Sequence, residues 1–285
     1  MSWTNLQWRR GRIQRGSAYA VLAVAAAICL MPFGWMVLTS VKPEAEIFRT
    51  PPTWLPGQWM WGNYVDAWQA GGLDFGRLFT NTFLITVPVT ISTVLVSSLA
   101  AYVFARMRFR GRNFWFGLFV ASLMIPDAPR IIPSFLLFRE LGWLDSWLPL
   151  MVPGMLGNAF AIFLMRQFFR TLPTELDQAA TVDGASRFRI WWQIYLPLSR
   201  PAALTVAIFS FNTVYNDFLG PLVYLNSPEK FTVQLGLATF NGTYGTRYDL
   251  MMAAATFTLL PMVVLFFAGQ RHFTQGIALT GTAGR

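Results

Sequence analysis

Six stretches of the chain are apolar over the length a helix needs to cross a bilayer, about 20 residues, and polar connectors separate them. They run from Ser17 to Val41, from about Thr80 to Met107, from Phe114 to Phe138, from Trp147 to Phe169, from Pro201 to near Leu225, and from Leu250 to Gly269. The pattern predicts an all-α integral membrane protein with six transmembrane helices, a single domain over residues 1–285, and both termini on one face. The first stretch is too long for the apolar core of a cleavable signal, and five more spans follow it, so it reads as a retained span. No internal repeat or low-complexity tract interrupts the pattern. One connector differs from the rest: residues 172–201, LPTELDQAATVDGASRFRIWWQIYLPLSRP, are acidic at first, broken by Gly, rich in aromatics, and restart with Leu-Pro and Pro.

Composition agrees with the spans and adds their orientation. The 285 residues are 54% hydrophobic and 12% charged, about half the charged fraction of a soluble domain, and the mean hydropathy is +0.44. With the N-terminus in the cytoplasm, inner segments gather Arg9, Arg10, Arg12 and Arg15, then Arg106, Arg108, Arg110 and Arg112. Arg166, Arg170, Arg187, Arg189 and Arg200 surround the unusual connector, and Arg271 and Arg285 close the chain. Of the acidic residues only Glu175, Asp177 and Asp183 fall on that side. Cytoplasmic segments of membrane proteins carry such an excess of Arg and Lys. Residues 1–16 are therefore expected to be a basic cytoplasmic N-terminus, 172–200 a cytoplasmic loop, and 270–285 a cytoplasmic tail. The net charge of +9 is then a topology signal rather than the footprint of a nucleic-acid partner.

Within the connector, Thr174 is placed to cap a helix over ELDQAATV, with acidic residues in its first turn. Gly184 breaks the pattern, Ser186 can cap a second helix, and that helix is expected to stop before Pro197. Two short helices around a small-residue turn would form a compact protrusion, with Ala179, Ala180 and Ala185 leaving room for a partner's backbone. Trp191, Trp192 and Tyr195 suit a membrane interface. An ordinary amphipathic interfacial helix would share these features.

DQAATVDGASRFRIWWQIYLPLSRP resembles the EAA loop of ABC-importer permeases, a long and demanding pattern of EAA, DGAS, Leu-Pro and a further Pro. LMIPDAPRIIPSFLLFRELGWLD, FNTVYNDFLGPLVYL, TVQLGLATFNGTYGT and LPMVVLFFAGQRHFTQGIALTGTAG are similar to the carbohydrate branch of that family, and within it to the second permease subunit of the maltose transporter family. The resemblance covers the chain from Ser17 onward. It implies a subunit that pairs with a second permease, two cytoplasmic ATPase subunits and an extracytoplasmic sugar-binding protein in the cell membrane. ATP and magnesium would be held by the ATPases, and no cofactor by this chain. Glu175, Asp177, Gln178, Ala179, Ala180, Asp183, Gly184, Ala185, Leu196 and Pro197 would form the coupling element. The family's Glu before Ala-Ala is Gln178 here, which forgoes a charge-assisted hydrogen bond; Glu175 lies one turn earlier on the same face.

The residues also weigh against other classes. The two lysines are Lys42, followed by Pro43, and Lys230, followed by Phe231; neither fits a P-loop, where Lys-Ser or Lys-Thr follows a Gly-rich turn. One His and one Cys leave no zinc-type cluster, so no metal site is expected. A membrane enzyme would need convergent His, Asp or Glu at one face, and the lone His272 sits in the basic QRHF end. A secondary carrier would need buried titratable relays.

Polar residues inside the spans are few. Asp127 and Arg130 lie one turn apart among Pro126, Pro129 and Pro133, which weaken the helix there; they read as a gate in the pathway or as an ion pair near the interface. Asn212, Tyr215, Asn216 and Asp217 should face the protein interior. They would line a sugar route, or hydrogen-bond between two permeases. On the outer side, Asn241, Gly242, Thr243, Tyr244 and Gly245 suit a projecting turn. The resemblance implies that this turn enters the binding protein's cleft. The Pro- and Trp-rich KPEAEIFRTPPTWLPGQWMWGNY reads as a ledge along the membrane surface. The substrate class expected is an oligosaccharide, disaccharide or polyol, with glycerol phosphate as the alternative.

Overall fold

The computed structural model describes residues 3–69, 73–126, 128–240 and 247–281, with side chains described between 17 and 269. The described residues are helical and contain no strand. In chain order the principal helices are α1 (Trp3–Ser40), α2 (Gly62–Gln69), α3 (Phe75–Arg106), α4 (Arg112–Ser122), α5 (Ile131–Glu140), α6 (Leu148–Met155) and α7 (Ala159–Thr171). They continue with α8 (Glu175–Val182), α9 (Arg187–Leu198), α10 (Arg200–Tyr215), α11 (Leu219–Tyr224), α12 (Val233–Ala238) and α13 (Tyr248–Gly281).

Four segments among the described residues are long and apolar enough to cross a membrane: Ser17–Ser40, Phe75–Arg106, Leu148–Thr171 and Tyr248–Gly269. A fifth exists if α9 and α10, bent by 80° at Ser199, count as one broken span. The third apolar window is not one helix. It divides into α4 and α5, of 11 and 10 residues, with a 3-10 turn at Ala128–Arg130 after the break. Pro126 and Pro129 withhold backbone donors and disfavour helical geometry in the residues before them.

The chain forms two compact units. The first comprises Met1–Gly71 and Phe240–Thr258. In it, α1 is exposed through its apolar stretch, and Cys29 is exposed with it, as a lipid-facing helix would be. After α1, Lys42 is buried over the Trp35 ring, 4.7 Å from its centroid, and donates to the Thr53 carbonyl. Asn63 donates to the carbonyls of Ser40 and Lys42. These bonds fix the Pro-rich loop, leaving Trp54, Trp59 and Trp61 exposed, the last two stacked. Arg247 pairs with Asp249 at 2.7 Å and with Glu44 at 3.1 Å.

The second unit comprises Gly72–Thr239 and Leu259–Arg285. Its axis is α3, against which α6, α7, α10 and α12 pack. Hydroxyls on α3 let a broken helix lie against it. Ser92 donates to the Met155 carbonyl and Thr93 to the Gly154 carbonyl, satisfying groups that the break between α6 and α7 leaves open. Gly157 turns that corner at φ 84°, and a Cβ there would stand 2.8 Å from Ser97 Oγ. Asn158 then caps α7 by accepting from the Ala161 N–H. At the far loops, Asp145 accepts from Ser227 Oγ, Lys230 Nζ and the backbone N–H groups of Asn226 and Ser227.

Candidate functional site

The segment between α7 and α10 begins at Pro173 and turns into α8. Thr174 stands at the N-cap position with helical backbone angles and no side-chain cap bond, so Glu175 and Asp177 in the first turn are left to favour the helix N-terminus. The end of α8 is a Schellman corner: Ala185 N–H bonds to the Ala180 carbonyl and Gly184 N–H to the Thr181 carbonyl. That motif requires a left-handed residue, and Gly184 supplies it at φ 77°. Ser186 caps α9 by accepting from the Arg189 N–H.

The second helix does not stop before Pro197. A π-helical turn over Trp191–Tyr195 leads into Leu196–Leu198. The wider turn shifts the bonding register just where a strict α-helix would press a carbonyl against the proline ring. The break falls instead at Ser199, before Pro201. Trp191 and Tyr195 are not interfacial either. Both are buried in a cluster with Ala101, Met165, Phe169 and Val206, because each polar edge finds a partner. The Trp191 indole donates to Ser98 Oγ at 3.1 Å, and the Tyr195 hydroxyl donates to Asp177 Oδ2 at 2.5 Å. Trp192 is the exposed one of the three.

Asp177 therefore faces inward. Besides Tyr195 it meets Arg106 at 3.8 Å. The same guanidinium lies 5.1 Å from the Tyr195 ring centroid and donates to the Leu172 carbonyl. One arginine at the end of α3 thus fastens the start of the segment, its first helix and its second. Gln178, Ala179 and Asp183 are exposed, Ala180 is buried, and Ala185 is half-buried. Val182 is 87% exposed and Phe188 62% exposed, an apolar pair on either side of the Gly184 corner. Sequence reasoning missed both this pair and Arg106. Val182 lies inside the motif as an ordinary helix former, and in the sequence Arg106 reads only as topology charge.

Of the proposed pathway residues, Tyr215 is buried, with its ring stacked on Phe211 at 5.6 Å. Asn212 on α10 and Asn216 at its C-cap are exposed, one turn apart, rather than turned into the interior of this chain as expected. Asn216 donates to the Asn212 backbone carbonyl and Oδ1, and accepts from Gln234 Nε2 at 3.0 Å. These three amides form a hydrogen-bonded ladder across α10 and α12. Asp217 accepts from the Gly220 N–H and borders a cavity of about 430 Å³ that also contacts Ile85, Leu150 and Thr232. Arg130 is exposed and donates to the carbonyls of Pro126 and Ile125. Asp127 and the turn from Asn241 to Gly245 lie outside the described residues.

Comparison with known proteins places this architecture. Residues 72–279 match the family described as binding-protein-dependent transport system inner membrane component. The chain is 33% identical over 265 residues to the sn-glycerol-3-phosphate transport system permease protein UgpE of Yersinia pestis bv. Antiqua, covering 91% of this chain and 94% of that one. It is also 33% identical to the arabinooligosaccharides transport system permease protein AraQ of Halalkalibacterium halodurans, covering 92% and 94%. Its fold superposes with a TM-score of 0.80, at 24% identity, on a chain of a bacterial ABC transporter involved in the import of the acidic polysaccharide alginate, covering 93% of this chain and 98% of that one. The chain is an integral membrane permease and belongs to the family of binding-protein-dependent transport system inner membrane components.

Proposed function

We propose that the chain is one of two permease subunits of an importer that takes up a neutral carbohydrate or polyol, with residues 172–200 as its contact with a cytoplasmic ATPase. The observation that carries the coupling role is the Gly184 corner. It presents Val182, Phe188 and the small Ala179 outward, while Asp177 and Tyr195 tie the same helices to α3 through Arg106. A partner pulling on that corner pulls on the spans. In this reading α10 with α11 makes the fifth crossing and α4 with α5 the sixth, both termini are cytoplasmic, and ATP hydrolysis belongs to partner subunits. An extracytoplasmic binding protein delivers the solute, and the turn at 241–245 meets it.

The amide ladder of Asn212, Asn216 and Gln234 favours a hydroxyl-rich solute, since amides both donate to and accept from sugar hydroxyls. The likeness to UgpE supports a second reading, a phosphorylated polyol, which would call for cations along the route. The two separate in one experiment: a thermal-shift screen of the cognate binding protein against neutral oligosaccharides and sn-glycerol 3-phosphate. Stabilisation grows with ligand concentration over Kd, so a neutral sugar that shifts Tm at low concentration supports the first reading. A shift from the phosphate ester alone overturns it.

A further inference from the structure

Arg166 is a buried cation in a membrane-crossing helix. It belongs to α7, is 8% exposed, and has its guanidinium stacked over the Phe116 ring, 3.8 Å from the centroid. Its Nε donates to the Phe104 carbonyl at 3.3 Å. The charges that bear on it are Arg170 and Arg112, both repulsive. Among the described residues, no carboxylate pairs with Arg112, Arg166 or Arg170. A charge buried in protein is costly and is ordinarily paired.

The missing counter-charge has a place to sit. Arg112, Asn113, Arg166, Arg170, Phe104 and Phe116 border a cavity of about 420 Å³, where the last turns of α3 and α7 meet the first turn of α4. Gly111 stands at the N-cap of α4 with no side-chain cap, so that end adds backbone donors and a positive dipole end. Along α4 away from the cavity, Phe114, Leu118 and Phe119 are exposed, an apolar face that suits acyl chains. We propose that this cavity binds a phosphate-type anion, carried by the headgroup of an anionic phospholipid in the leaflet on the side of residues 172–200. Basic pockets between transmembrane helices bind such headgroups on the cytoplasmic side of other membrane proteins. Free phosphate shares the chemistry. The burial of Arg166 and the apolar α4 face favour the lipid over an acidic side chain of a partner ATPase.

The test uses the assembled transporter. Native mass spectrometry after detergent exchange counts the phosphatidylglycerol retained from membranes of phosphatidylcholine with phosphatidylglycerol, and inorganic phosphate is titrated separately in a thermal-shift assay. The double variant Arg112→Gln/Arg170→Gln alters less-buried residues and keeps Arg166, so it should assemble; each arginine removed is expected to weaken retention about fivefold. Arg166→Gln is expected to weaken it further. Retained phosphatidylglycerol that falls in the variants supports the headgroup. A wild-type thermal shift with phosphate that the double variant loses, without retained lipid, supports the anion site and assigns it to soluble phosphate. Equal retention in wild type and variants, with no phosphate response, overturns the proposal. Loss of the ATPase subunits with lipid retention unchanged overturns it too, and gives the arginines to the ATPase.

Discussion

Gly184 stands at φ 77° with nothing within 4 Å of where its Cβ would be. Within this chain, then, the position demands conformational freedom and not space. Gly184→Leu is expected to cost on the order of 1 kcal/mol in backbone strain and to leave insertion intact, while adding bulk beside Val182 and Phe188. In reconstituted vesicles its uptake and binding-protein-stimulated ATP hydrolysis should be lost; full activity would remove the corner from the coupling role. Gly184→Ala carries the same strain with little bulk, so it should fall between Gly184→Leu and wild type. Asp145 offers a test by pH. Ser227 and Lys230, with the N–H groups of Asn226 and Ser227, hold its carboxyl well below the usual carboxylate range. A folded pKa below the unfolded one contributes stability above the unfolded value, about 3.9, and that contribution is lost as pH falls from there toward the folded pKa. The Tm of Asp145→Asn should lie below wild type at neutral pH, and the gap should narrow below about pH 4. A gap that stays constant down through that range would deny the carboxylate its role. The aromatic residues show where residue-level reading runs out. Trp191 and Tyr195 carry a ring and a polar edge, which suit a bilayer interface and a hydrogen-bonded core equally. Partners distant in sequence, Ser98 and Asp177, decide between the two, and local spacing contains neither.

At the scale of elements, apolar length was legible because burial in lipid demands it over a whole helix: four of the six windows correspond to a crossing helix, while the fifth divides into α10 and α11 with a break after Tyr215. The breaks were legible only where proline announced them, as between α4 and α5. The break between α6 and α7 depends on α3. Its hydroxyls donate to the open carbonyls, and Ser97 lies so near Gly157 that a side chain there would collide. Gly157→Ala is therefore expected to lower stability by roughly 1–3 kcal/mol, from left-handed strain and overpacking together. Gly117→Ala, within α4 and with open space around it, should be neutral or stabilising by about 0.5–1 kcal/mol. Thermal unfolding of the two variants in the same detergent checks the contrast, and equal Tm values would mean that the α6–α7 corner yields freely.

For the whole molecule, the family was legible because its motif is long and fixed in spacing, whereas the solute was not, because neutral amides and aromatic rings serve many sugars. Deleting 241–245 should reduce uptake more than binding-protein docking if that turn reaches the ligand cleft; pull-down and vesicle uptake measured on the same preparation separate the two, and equal losses would make it a docking surface only. The bend at Ser199 bears on how force crosses the protein. Ile190, Trp191 and Tyr195 before the bend and Ala202 and Val206 after it belong to one buried cluster, and Ser199 itself is fully buried, with its hydroxyl donating to the Leu196 carbonyl. The two limbs, set at 80°, thus make a bell crank with a stiff pivot. The longer limb, α10, has 16 residues and so an arm of about 24 Å. A rotation of about 10° at the pivot would swing its far end by about 4 Å. If, as proposed, the Asn212–Asn216 amides line the solute's route, that swing matches the spacing of neighbouring sugar hydroxyls, and a small stroke at residues 172–200 would become a solute-sized step along α10.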